Sequence, residues 1–154
     1  MDQLKFKNVV DEILQRFQSR IEERQIRIMR HVYQAGFFYS STENFRLIFL
    51  HLIANAIAFS DCQKENKSIE VKVRATSTGC SIRVNDNGIG IENEIQNRIF
   101  DPFYRGSEKS TGDGIGLYIV NEILRKMGGS ITVDSALRRG STFLIWVPNR
   151  KEDR

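Results

Sequence analysis

An aspartate stands where an apolar residue is expected. Cys80, Ile82, Val84 and Asp86 occupy alternate positions, the spacing of one face of a strand, and the first three are apolar. A carboxylate on a core-facing register is costly unless something pairs with it, so Asp86 marks a place built for a donor. It opens the run Asp86-Asn87-Gly88-Ile89-Gly90, whose alternate glycines permit φ > 0 and let a flat ligand approach the backbone. An ionised carboxylate only accepts hydrogen bonds. Adenine offers it an exocyclic amine, whereas guanine presents a carbonyl there. A buried group built for one donor rejects the wrong ligand by roughly 10⁴-fold. The same residues also compose a plain Asn-Gly turn between strands, and taken alone they leave both readings open.

Three further places carry polar chemistry. Gly112-Asp113-Gly114-Ile115-Gly116-Leu117 resembles a phosphate loop opening a helix, where backbone N–H groups and the positive dipole end suit a polyphosphate. It is not a Walker A motif, because no Lys-Ser/Thr follows the last glycine, and it lacks the preceding strand of the dinucleotide fingerprint. The polar stretch 105–111 before it reads as a lid that closes over a ligand; a disordered surface loop would share its polarity. Asn55 interrupts the apolar stretch 52–59, and its amide oxygen is a ligand of the sort Mg²⁺ accepts alongside phosphates and water. His51, four residues earlier, falls on the same helix face. Either could equally be a satisfied core polar residue.

These groups must be held by a scaffold. Val10, Ile13, Leu14, Phe17 and Ile21 recur at helical spacing and predict a helix over 8–23. Residues 26–32 read as a strand, and Ser40, Ser41 and Thr42 supply N-cap candidates for a second helix over 43–59. Ile69, Val71, Val73 and Ala75 alternate along one strand, and Cys80 to Asp86 along the next. A short helix is expected over 92–99. A third long helix begins near Gly116, with Leu117, Val120, Leu124 and Met127 on one stripe and Gly128-Gly129 ending it. Strands over 130–135 and 141–147 close the chain. This pattern predicts an α+β fold: a two-layer sandwich whose mixed, mostly antiparallel sheet is covered on one face by three helices.

Composition sets outer bounds. The 154 residues are 40% hydrophobic and 10% aromatic, which suits one domain with a sizeable core and argues against disorder. The longest apolar run, 47–59, is too short to span a bilayer, and no signal peptide opens the chain. Cys62 and Cys80 fit neither a disulfide framework nor a metal spacing, so a reducing compartment is the default. A net charge of +4 suits an anionic ligand without naming it. Arg16, Arg20, Arg24 and Arg27 are interleaved with Glu12, Glu22 and Glu23, as on a solvated helix face, rather than forming a nucleic-acid stripe.

In this order the segments resemble the catalytic and ATP-binding domain of sensor histidine kinases, part of the GHKL group shared with gyrase, mismatch-repair and chaperone ATPases. The resemblance rests on five places. His51-Leu-Ile-Ala-Asn55-Ala-Ile-Ala-Phe59-Ser matches the N box, and Asp86-Asn-Gly88-Ile-Gly90 the G1 box. Phe100-Asp-Pro-Phe103-Tyr104-Arg105 matches the F box, and Gly112-Asp-Gly114-Ile-Gly116-Leu117 the G2 box. Gly128-Gly129 with Gly140-Ser141-Thr142-Phe143 completes it. Each box alone is weak, and their order and spacing over about residues 4–148 make the match specific.

The resemblance implies roles. Asp86 would take the adenine amine, with Thr142 assisting through an ordered water, while Gly88 and Gly90 line the pocket and Phe59 packs on the nucleotide. Asn55 would hold Mg²⁺. Tyr104 and Arg105 would begin the lid, Arg105 meeting the phosphates, and Gly112, Gly114, Gly116 and Leu117 would cradle them. Phe103 is expected to anchor the lid as a core aromatic. His51 stands where the family often has Asn, Asp or Glu, and where hydrolytic relatives carry a glutamate; it would orient the incoming histidine or take its proton. Ala58 replaces a frequent lysine. The activity implied is transfer of the ATP γ-phosphoryl group to a histidine on a separate dimerisation domain of the same parent protein, with a response regulator downstream. The chain would then be the cytosolic, catalytic part of a larger receptor, itself binding neither nucleic acid nor membrane. A free-standing anti-sigma-factor serine kinase and a nucleotide-binding regulatory module without transfer activity are the competing readings.

Overall fold

A computed structural model describes residues 1–103 and 115–150, and in it the alternating runs form a single five-stranded sheet. Strand β1 (Asp2–Gln3) leads into helices α1 (Phe6–Arg16) and α2 (Gln18–Glu23), followed by β2 (Ile26–Gln34), β3 (Tyr39–Ser40) and α3 (Thr42–Ala58). The hairpin β4 (Lys67–Ala75) and β5 (Gly79–Asp86) comes next, then a 3₁₀ turn over Asn93–Arg98. Helix α4 (Gly116–Lys126) precedes the closing hairpin of β6 (Ser130–Ala136) and β7 (Gly140–Pro148).

The sheet runs β2-β4-β5-β7-β6. Its β2–β4 pair is parallel and the other three pairs are antiparallel. The parallel pair follows from connectivity, because β2 and β4 are joined by a crossover through α3 rather than by a hairpin. The described helices pack on one face. There Ile69, Val71, Val73 and Ala75 on β4, Cys80, Ile82 and Val84 on β5, and Phe143, Ile145 and Val147 on β7 are all buried. Their neighbours in sequence, Lys72, Arg74, Ser81, Arg83, Leu144 and Trp146, are exposed on the opposite face. This is the expected two-layer α+β sandwich with a mixed sheet.

Two local differences have clear causes. The first helix breaks at Phe17, where the amide turns to the Leu14 carbonyl at 3.2 Å, an i−3 bond that tightens the backbone. The break starts α2, whose Ile21 is buried while its other residues stay at the surface. Nor did the hydrophobic pattern foretell the two-residue ribbon β1–β3, which fastens the N-terminus against the segment leading into α3. It is backed by Phe6, whose ring meets Phe38 and Phe45 edge-on at 5.0 Å each. At the start of α3, the Ser41 hydroxyl accepts from the Asn44 amide at 3.2 Å, so Ser41 is the N-cap among the three candidates. Arg24 leaves the arginine stripe altogether: its guanidinium donates to the Ile57 carbonyl at 2.8 Å near the end of α3.

Candidate functional site

The C-terminal end of β5 carries Asp86 into the layer between sheet and helices. It lies between Ile69 on β4 and Ser141 on β7 and is 6% exposed. The Gly88 amide donates to its Oδ1 at 2.9 Å. Burial pushes its carboxyl up to about 6, against the opposing pull of the Gly88 and Ser141 amides and the nearby Lys64 charge. Such a group is half-stabilised: it has donors, yet it remains an anion held out of water.

The turn after Asp86 is fastened on three sides. The Asn87 side chain donates to the Asn66 carbonyl at 2.6 Å and accepts from the Ser68 amide at 2.8 Å. Lys64 donates to the carbonyls of Asn87 and Arg138, at 2.5 and 2.6 Å, joining the loop after α3 to the β6–β7 turn. The Ile89 amide donates to the Phe59 carbonyl at the end of α3, and the Ile89 carbonyl accepts from the Arg138 amide. Ser135 accepts from the Ile91 amide and shares a 2.8 Å hydrogen bond with Ser141, so the network returns to Asp86's strand partner.

This packing gives the glycines a task within the fold itself. A Cβ on Gly88 would overlap the Phe59 carbonyl oxygen, and one on Gly90 (φ +74°) would overlap the Ala136 carbonyl. Both glycines let protein backbone approach protein backbone, which the expectation of a ligand-lined strip did not include. Phe59 stands beside them, half-buried, as the C-cap of α3.

Along α3, His51 and Asn55 stand one turn apart and both are half-buried. The His51 ring packs against the first residue of α4: its Nδ1 lies 3.0 Å from where a Gly116 Cβ would stand. Gly116 and Leu117 thereby bring the first turn of α4 beside the polar stripe of α3, and the leading amides of a helix have no acceptor within the helix itself. Among the described residues the Asn55 amide group has no hydrogen-bond partner, and no cluster of three or more His, Cys, Asp or Glu could hold a metal ion. A lone amide oxygen suits Mg²⁺, which keeps several waters and takes its remaining ligands from substrate phosphates.

Two expectations fail. Thr142 does not reach Asp86. Strand alternation puts it on the open face, where its hydroxyl donates to Asn85 at 2.7 Å, and Ser141 is the residue paired with Asp86. Phe103 is not a core aromatic: it is 69% exposed with φ +64°, and buried Ile99 with half-buried Phe100 anchors that segment instead. Tyr104, Arg105, Gly112 and Gly114 lie outside the described residues.

Fold and site together define a two-layer α+β sandwich built around a buried acceptor at the end of a central strand. Residues 41–151 match the family of histidine kinase-, DNA gyrase B- and HSP90-like ATPases. The chain belongs to that family. It is 39% identical over 105 residues to the signal transduction histidine-protein kinase ArlS of Staphylococcus haemolyticus, a match covering 66% of this chain and 22% of that kinase. The chain thus spans only about a fifth of the curated relatives it resembles. Its fold superposes on a mycobacterial sensor histidine kinase, MprB, with a TM-score of 0.81 at 23% identity, covering 97% of both chains. It also superposes on full-length ShkA in complex with AMPPNP, with a TM-score of 0.84 at 23% identity, covering 97% of this chain and 31% of that one.

Proposed function

We propose that this chain is the ATP-binding catalytic unit of a sensor histidine kinase, a single domain that binds Mg-ATP and phosphorylates a histidine on a dimerisation segment of its parent protein. The observation that carries the reading is Asp86, a buried acceptor-only group at a strand end in a family of ATPases. A structure similar to this chain is a complex with AMPPNP, an ATP analogue.

Asp86 accepts the adenine amine, and Gly88 and Gly90 shape the turn beside it. Phe59 borders the base. Gly116 and Leu117 present the first amides of α4 to the phosphates, joined by Gly112, Gly114, Tyr104 and Arg105 from the adjoining segment. Asn55 holds Mg²⁺, which when bound neutralises charge on the phosphate oxygens. Little covalent work is left for the protein, since phosphoryl transfer is mostly positioning and charge neutralisation. The neutral imidazole of the acceptor histidine is nucleophilic enough to need no strong base. Its nitrogen forms a bond to the γ-phosphorus while the bond to the bridging oxygen breaks; ADP leaves, and the imidazole proton is released. His51, seated against the start of α4, orients that incoming ring or takes its proton.

Sensor kinases of this class pass the phosphoryl group to a response regulator, and the unit works in the cytoplasm. No helix among the described residues is long and apolar enough to cross a membrane.

The test is γ-labelled ATP with a supplied dimerisation segment from a close relative. Acid-labile, base-stable label on that segment is expected, with His51→Ala slowing transfer by about 100-fold, the lower end of acid–base contributions. Unchanged turnover in His51→Ala would remove its catalytic role. Binding without transfer to any histidine would overturn the kinase reading in favour of a regulatory module, and label on serine would replace it with a serine kinase.

A further inference from the structure

The described helices cover one face of the sheet and leave the other bare. Register places Tyr33 beside Arg74, Arg74 beside Ser81 and Ser81 beside Trp146 in one row across β2, β4, β5 and β7. The next row sets His31, Lys72, Arg83 and Leu144 side by side. Together they line a concavity of about 700 Å³ on the side of the sheet away from the nucleotide site.

Two features separate this face from ordinary solvated strand surface. Leu144 and Trp146 are each 45% exposed in the middle of β7, where an outward-facing strand position ordinarily carries a polar residue. The Trp146 indole is moreover seated in a notch: any Cβ at Gly79 would overlap its ring, so glycine there lets the indole lie down on β5. Charge within the concavity is one-sided, and the carboxylates of the same face, Glu70 and Asp134, stand in the adjoining row. Lys72, Arg74 and Arg83 line the concavity, and none of the described lining residues is acidic. The nearest carboxylate along β4, Glu70, is already engaged by Lys72 at 3.6 Å and His31 at 3.7 Å.

We propose that this open face docks an acidic polypeptide segment carrying an apolar side chain. The apolar group rests on Trp146 and Leu144, and the flanking carboxylates meet Lys72, Arg74 and Arg83. Charge complementarity selects the acidic partner. The aromatic arrangement argues against single-stranded nucleic acid: the Arg74 guanidinium already covers the Tyr33 ring at 5.0 Å, leaving one open ring rather than a succession on which bases stack. Concavity argues against a bilayer surface, which would meet a flat or convex patch. The proposal does not depend on the nucleotide site or its chemistry.

Trp146 is the only tryptophan, so its emission reports the face directly. The full chain is titrated with a synthetic octapeptide of glutamates flanking a central leucine pair, and separately with oligothymidylate and with phosphatidylglycerol vesicles. A saturable change in Trp146 emission with the peptide is expected. Its affinity should fall about tenfold in the Lys72→Glu/Arg83→Glu double variant, as expected for two reversed rim charges. ATP affinity should stay unchanged in that variant, which also shows that it folds; the milder Lys72→Ala/Arg83→Ala pair should give a smaller loss in the same direction. The proposal is overturned by absence of saturable change with the peptide, by equal affinity in both double variants, or by tighter binding of oligothymidylate or vesicles than of peptide.

Discussion

Ser141 and Thr142 are adjacent in sequence and face opposite sides of the sheet, and only Ser141 is the cross-strand partner of Asp86. The parity was legible: Phe143 and Val147 are core residues of the same strand, and counting back by twos from either reaches Ser141. A family motif read as a string does not carry that parity, which is why the assignment slid by one position to Thr142. Asp86 itself was fully legible, because a carboxylate ending an apolar alternation breaks the pattern at a cost that only a donor offsets. At this scale Ser141→Ala should weaken ATP binding about fivefold, the worth of one modest hydrogen bond. Thr142→Ala should change it by less than about twofold, as expected of a surface position. Isothermal calorimetry on the two variants checks this, and the reverse ranking would return Thr142 to the site.

Strands and long helices were readable because each repeats one period over several residues. Val71, Val73 and Ala75 could not have faced the core in any other register, and the α3 boundaries were found to within a residue at each end. The break at Phe17 was not readable, since Phe17 and Ile21 keep helical spacing on both sides of it and only the backbone turn at Leu14 reveals it. Nor was the backbone-packing task of the glycines after β5. Sequence shows that Gly90 can adopt φ +74°, but only the folded chain shows Ala136 pressed against it. Gly36 offers an internal comparison, with φ +80° and nothing within 4 Å of a would-be Cβ. Gly36→Ala carries backbone strain alone and should cost about 1 kcal/mol, whereas Gly90→Ala adds a backbone collision and should cost about 3 kcal/mol or more. Urea denaturation at one pH measures the difference, and equal losses would contradict the close-approach account.

For the whole molecule, the site has an energetic signature that reaches global stability. The Asp86 carboxyl is pushed up to about 6 from 3.8, chiefly by burial. Between those two pH values the folded chain keeps a proton on Asp86 that the unfolded chain has released. Stability therefore falls as pH rises through that window and this contribution levels off above it. At 1.36 kcal/mol per pH unit the buried anion costs the fold about 3 kcal/mol at neutral pH. The Gly88 and Ser141 amides and the Lys64 charge offset only part of the cost of burial, and this remainder is the mark of a ligand site rather than of a structural ion pair. The most direct measurement is Asp86→Asn, followed in parallel by calorimetric ATP titration and by urea denaturation from pH 4 to 8. The account predicts ATP affinity reduced at least about 100-fold, with a variant that is folded, more stable than the parent at pH 7.5, and lacking the parent's loss of stability between pH 4 and 6. Undiminished ATP binding by a folded Asp86→Asn protein would contradict it.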